Sequence, residues 1–125
     1  MSNKEMLYAS LASGSKGNCH AIGDGEQILL IDAGISLLQI RNRLNSLNWQ
    51  LDQVQGVAIT HEHSDHINAV PVILRRTDWS ILATQSTLEA IEVTKNIEIP
   101  KSRWIPLTAG RAVSWEGWSL QPFSV

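Results

Sequence analysis

The sequence predicts an α/β layered fold, and three observations carry that expectation. Short apolar runs separated by turn residues open the chain. From Ser36 onward, helical stripes alternate with β-like runs, and after Pro100 the pattern returns to β. That order indicates layers of sheet and helix around one core. The chain has 125 residues, 43% of them hydrophobic and 18% charged, enough for one small domain. No repeat, linker or low-complexity tract divides it.

Met6 to Ala12 reads as a strand, and Ser13 to Asn18 as a turn-rich loop. Cys19 to Gly23 is a second strand, closed by the hairpin signal Asp24-Gly25. Gln27 to Asp32 follows, and its run Ile28-Leu29-Leu30-Ile31 suits a strand covered on both faces. Ser36 can cap a helix whose apolar stripe is Leu37, Ile40, Leu44 and Leu47. Asp52 to Gly56 leads into a strand over Val57 to Thr60. A second helix is expected over Asn68 to Arg75, with Pro71 tolerated in its first turn. Trp79 to Ala83 is a strand, and Thr84 caps a helix over Gln85 to Lys95. Three β-like pieces end the chain: Arg103 to Leu107, Gly110 to Trp115, and Trp118 to Val125.

Composition excludes several classes. The net charge of −2 supplies no global basic field for nucleic acid. The one adjacent basic pair, Arg75-Arg76, reads as a solvated helix end, with phosphate contact the lesser reading. A single cysteine, Cys19, cannot form an internal disulfide and is expected to be a buried small hydrophobe in a reducing compartment. Met1 to Glu5 carries no signal-peptide core, and no apolar run reaches the ~20 residues of a membrane span. A cytoplasmic protein with no membrane partner is expected.

The chemistry concentrates in one place. Three of the four histidines fall within His61-Glu62-His63-Ser64-Asp65-His66. Neutral imidazoles and a carboxylate are the donors a first-row transition metal takes. In an extended loop, His61, His63 and Asp65 share one face, Glu62 and Ser64 point away, and His66 turns in as a helix begins. Two ions fit this set better than one, His61 and His63 serving the first, Asp65 and His66 the second. An incomplete shell leaves room for water, whose pKa falls towards ~7 on a metal. Hydrolysis of an ester, phosphodiester, thioester or lactam is the reaction class expected. His20, on an early strand, is a weaker candidate ligand. Trp104, Trp115 and Trp118 are expected to pack, with base stacking the lesser reading.

These residues resemble the metallo-β-lactamase superfamily. His61 to His66 after a hydrophobic strand is similar to its H-x-H-x-D-H box, and Leu30-Ile31-Asp32-Ala33-Gly34 to its early signature. Ser13-Gly14-Ser15-Lys16-Gly17-Asn18 and the ending Gln121 to Val125 look like the WalJ-type bacterial branch. The resemblance implies an αβ/βα sandwich, here its N-terminal half, a mixed β-sheet with helices on the outer face. It implies that His61, His63, Asp65 and His66 bind two divalent ions, zinc foremost and manganese the second choice. Asp65 and His66 would be catalytic, and Asp32 would support the metal loop; on its own Asp32 reads equally as a strand-end turn former. Ser15, Lys16, Gly17 and Asn18 are a candidate phosphate-binding loop, with a plain glycine-rich turn as the alternative. The implied activity is a metal-dependent phosphodiesterase, a 5′ exonuclease acting on DNA through a metal-bridging hydroxide. Two alternatives stay open: hydrolysis of a thioester, lactone or other small ester, and an inactive fragment that binds metal weakly.

In that family further ligands follow the segment matching Pro122 to Val125, so residues 1–125 are expected to be the N-terminal part of a single domain. The inner sheet face is then expected to be exposed, or covered by a homo-oligomer partner.

Overall fold

A computed structural model describes residues 5–123. Its first three strands form a meander: β1 (Leu7–Ala12) pairs antiparallel with β2 (Cys19–Gly23), and β2 antiparallel with β3 (Ile28–Ile31). The hairpin between β2 and β3 is held by Asp24, whose Oδ1 accepts from the N–H groups of Glu26 (2.9 Å) and Gln27 (2.8 Å). Gly25 supplies the left-handed backbone this turn needs, at φ +93°. The Asp24-Gly25 signal is therefore read correctly from sequence.

From β3 onward the sheet is parallel. Helix α1 (Leu37–Ser46) carries the chain to β4 (Val54–Ala58), which lies beside β3. Two short helices, α2 (Ser64–Ile67) and α3 (Val70–Arg76), lead to β5 (Ser80–Thr84). Helix α4 (Gln85–Lys95) leads to β6 (Trp104–Leu107). The six strands run in sequence order across one mixed sheet. A separate hairpin, β7 (Val113–Trp115) and β8 (Trp118–Leu120), follows. This is the mixed α/β architecture that the sequence and the resemblance lead one to expect.

Strand alternation divides the core in two. On one face Leu30, Val57 and Ile81 pack under Ile40 and Leu44 of α1, Ile73 of α3 and Ile91 of α4. On the other, Leu29 and Leu82 pack against Trp118, with Trp115 and Leu120 beside them. The run Ile28–Leu30 is fully buried for that reason, while Ile31 is half-buried. The hairpin thus closes the middle of the inner face, which the sequence reading left exposed. Trp118 Nε1 donates to Gln55 Oε1 (2.6 Å), and a Cβ on Gly56 would lie 2.9 Å from Trp115. Glycine at 56 is what lets the hairpin approach.

Several boundaries differ from expectation. β4 begins at Val54 after a 3-10 turn over Leu51–Gln53 and ends at Ala58, so Ile59 and Thr60 lie beyond it. The helix expected over Asn68 to Arg75 is α3, Val70–Arg76, and a separate short helix, α2, precedes it from Ser64. Leu47 is no part of the buried stripe; it caps α1 and is exposed. β7 and β8 are shorter than read, and the expected strand end at Ser124 and Val125 lies outside the described residues. Among the described residues no helix is long and apolar enough to cross a membrane.

Candidate metal centre

The site forms where three loops meet at the C-terminal ends of β1, β3 and β4. Backbone hydrogen bonds knit them. Asn18 N–H donates to Asp65 O (2.7 Å), Ala33 N–H to His66 O (2.8 Å), and Gly34 N–H to Asn18 O (2.8 Å). Gly34 is the contact point. A Cβ there would lie 1.8 Å from the Asp65 carbonyl oxygen and 2.6 Å from Asn18 N, so only glycine fits.

Asp32 organises the donors. It is the one buried charged or polar residue among those described, 3% exposed, and it holds φ +64°. That left-handed turn is a conformation aspartate tolerates better than most residues. Its Oδ1 accepts from Thr60 N–H (2.8 Å). Its Oδ2 accepts from Thr60 Oγ1 (2.6 Å) and from His66 Nδ1 (2.8 Å). Asp32 thus turns the chain after β3 and hydrogen-bonds to the segment that carries Thr60 and His66.

This network assigns the imidazole tautomers. The hydroxyl of Thr60 has one proton, directed to Asp32. Its 3.0 Å contact with His61 Nδ1 must then be a bond that the imidazole donates. His66 likewise donates from Nδ1 to Asp32. Both rings keep the Nε2 lone pair free, the form a metal ligand needs. Thr60 escaped the sequence reading, which used it only as a strand end. Its place directly before the histidine box was the available signal.

Asp65 is held from the other side. Asn18 Nδ2 donates to Asp65 Oδ2 (3.0 Å) and to Gly14 O (3.0 Å). The Asn18 amide is thus committed to the carboxylate and to its own loop. In that loop Gly14 N–H donates to Asn18 Oδ1 (3.2 Å) and Gly17 N–H to Gly14 O (3.3 Å). Ser15 and Lys16 remain exposed at its tip.

The segment is extended only as far as His63, because α2 starts at Ser64. Asp65 and His66 therefore sit on one helical turn, rather than His61, His63 and Asp65 alternating along a strand. His66 Nε2 lies 3.6 Å from Asp65 Oδ2. A tetrahedral zinc holding one imidazole nitrogen and one carboxylate oxygen sets them about 3.4 Å apart, so this pair fits such an ion. The His61 ring lies 5.1 Å from that of His66 and 6.1 Å from that of His63, centroid to centroid. Among the described residues no three His, Cys, Asp or Glu side chains close around one ion. The donors fit in kind and in pairs.

Other candidates lie elsewhere. His20 Nδ1 is hydrogen-bonded to the Tyr8 hydroxyl (2.6 Å), and the two rings stack. Cys19 is fully buried, and burial, aided by the charge of Asp32, pushes its thiol up to about 12. Trp104 donates to Ala83 O (2.9 Å) and packs on the main core; Trp115 and Trp118 pack in the second.

Residues 12–121 match the metallo-beta-lactamase superfamily. Exodeoxyribonuclease WalJ of Streptococcus pneumoniae is 38% identical over 95 residues, covering 76% of this chain and 35% of that protein. Exodeoxyribonuclease YycJ of Bacillus anthracis is 38% identical over 85 residues, covering 68% of this chain and 32% of that protein. This chain thus spans about a third of the length of these curated relatives. Among solved structures, the subclass B3 metallo-beta-lactamase MEM-A1, from a soil metagenome library, superposes with a TM-score of 0.67 at 19% identity. It covers 91% of this chain and 47% of that one, a likeness of fold.

Proposed function

Because the chain belongs to the metallo-beta-lactamase superfamily, we propose that residues 1–125 are the N-terminal, metal-binding part of a single phosphodiesterase domain, a 5′ exonuclease that acts on DNA. The observation that carries this reading is the pair of imidazoles, His61 and His66, whose Nδ1–H groups donate to Thr60 and Asp32 and so leave both Nε2 lone pairs available. The exodeoxyribonuclease relatives supply the substrate class.

His61, His63, Asp65 and His66 would hold two divalent cations, zinc first and manganese second. Such ions supply Lewis acidity, which acidifies water and neutralises the charge developing on a phosphodiester. The protein's own part is positional. Asp32 accepts from His66 and makes that imidazole a stronger donor. Asn18 donates to Asp65 Oδ2, the oxygen that faces His66 Nε2, and so orients that carboxylate for a cation. Asp65 and His66 are accordingly the residues given catalytic roles.

The test has two readouts. Zinc bound per chain, measured by elemental analysis after dialysis, is expected to fall in His63→Ala. That side chain is exposed and makes no capping bond, so the fold is retained. Degradation of 5′-labelled DNA with Mn²⁺ or Zn²⁺ by the full-length protein is expected to vanish in the same variant. Activity that survives the substitution, or turnover of a thioester or lactone without turnover of DNA, overturns the reading.

A further inference from the structure

The arginine pair that reads as a solvated helix end has company. Arg75 and Arg76 close α3, where cations complement the helix dipole. They also line an open cleft of about 800 Å³ between α1 and α3. Lys16, from the loop after β1, and Arg41, on α1, line the same cleft. No Asp or Glu does. Among the described residues none of these four cations is ion-paired. In a chain of net charge −2 this is a local excess of positive charge, kept together against its own repulsion.

Two further features point the same way. The N-terminus of α1 opens into the cleft at Ser36 and Leu37, and its first turn carries no acidic residue. Its positive end is therefore not neutralised from within. At its inner end the cleft is lined by Gly34 and Asn68, with Asn68 Nδ2 donating to Gly34 O (3.0 Å). Gly34 packs directly against Asp65, where a Cβ would collide with its carbonyl. The basic cleft and the metal loop are thus contiguous.

We propose that this cleft is the backbone track of a single nucleic-acid strand, its phosphates resting on Lys16, Arg41, Arg75 and Arg76. The proposal rests on the nuclease reading for its substrate class, and it concerns binding and not hydrolysis. All four side chains are exposed along the open cleft, and its contiguity with the metal loop favours a nucleic acid over a lipid surface. A volume of about 800 Å³ is in the range of small-ligand clefts and suits one strand better than a duplex. One extended strand fits the charge and the modest volume of the cleft.

The test is fluorescence anisotropy of a labelled oligothymidylate with the full chain in EDTA, titrated between about 50 and 200 mM salt. Four phosphate contacts on single-stranded DNA give a slope of log K against log salt of about −3. R75Q/R76Q is expected to weaken binding about tenfold at low salt and to reduce the slope by about 1.4. K101Q/R111Q removes the same charge outside the cleft and is expected to leave both unchanged. Equal losses in the two variants, or a slope that R75Q/R76Q leaves untouched, overturn the proposal. So does binding to phosphatidylglycerol vesicles without binding to the oligonucleotide. Zinc uptake separates the two readings. A chain that takes up zinc but not the oligonucleotide refutes the cleft alone. One that binds the oligonucleotide through Arg75 and Arg76 but takes up no zinc refutes the metal-site reading and leaves the cleft standing.

Discussion

Asp32 concentrates more consequences than any other side chain here. Its carboxylate accepts three hydrogen bonds while sitting in a left-handed turn, one from His66 of the donor cluster and two from Thr60, whose hydroxyl in turn accepts from His61. Asp32→Asn keeps the shape but places an N–H where an acceptor is needed. Zinc affinity, read by competition with a chelating indicator, is expected to fall about 10- to 100-fold. Thr60→Val removes the hydroxyl that both accepts from His61 and donates to Asp32, and is expected to weaken zinc binding about tenfold; Thr60→Ser restores it. A role confined to stability would shift the melting temperature in both variants and leave zinc affinity in place. Cys19 gives a pH-dependent prediction. Its folded thiol titrates at about 12 against an ordinary 9.0, so the folded state holds this proton more tightly than the unfolded chain. The stability it confers is fully present below about pH 9 and is lost as pH rises towards 12. Urea unfolding at stepped pH should show that decline, and Cys19→Ala should flatten it.

At the scale of elements, the site is an agreement between loops. The segments around Asn18, Gly34 and Asp65 approach so closely that a single methyl group has no room. Gly34→Ala is expected to cost about 3 kcal/mol by overpacking and to abolish zinc uptake, since the segment that must move carries Asp65. Unfolding midpoints and metal content measured on one preparation check both. Another junction is held by Arg103, whose guanidinium donates to the carbonyls of Trp79 (2.7 Å), Thr77 (2.9 Å) and Leu74 (3.3 Å). It ties the end of α3 to the strand that follows. Hydrogen bonds to a charged group are worth about 1.5–3 kcal/mol each in favourable cases. Arg103→Ala is therefore expected to lower stability by about 2 kcal/mol, without effect on zinc affinity. Most elements were visible in the sequence because each rests on local chemistry. Ser36 caps α1 by accepting from Gln39 N–H (3.2 Å), and Thr84 caps α4 by accepting from Thr87 N–H (3.3 Å). The start of α3 was legible from Pro71 in its first turn, whereas the separate turn α2, and the bond from Ala69 N–H to Ala33 O (2.9 Å) across the fold, were not.

Across the whole molecule, the two sheet faces are closed by different means. Helices close one, and a two-stranded hairpin carrying Trp115 and Trp118 closes the middle of the other. Trp118→Ala is expected to cost about 3 kcal/mol, through lost contact with Leu29 and Leu82 and an unpaired Gln55. It should also expose apolar surface that binds a hydrophobic dye. An equivalent loss on the helical face, Ile73→Ala, is expected to destabilise without that dye signal, because α1 and α4 still cover the sheet.

The amino-acid sequence by itself determined the layered α/β class, the caps, the hairpin at Asp24-Gly25 and the crowding of imidazole and carboxylate groups into residues 61–66. Each of these depends on residues that are neighbours in the chain or share a short period, so local pattern is enough. Only the tertiary structure decided that Thr60 and Asp32 set the imidazole tautomers, that Asn18 grips Asp65, and that Arg75 and Arg76 share a cleft with Lys16 and Arg41. Those relations join residues remote in sequence. Hydrogen-bond geometry and charge density arise from proximity, and proximity between distant residues is created by packing the sheet, not by any spacing along the chain.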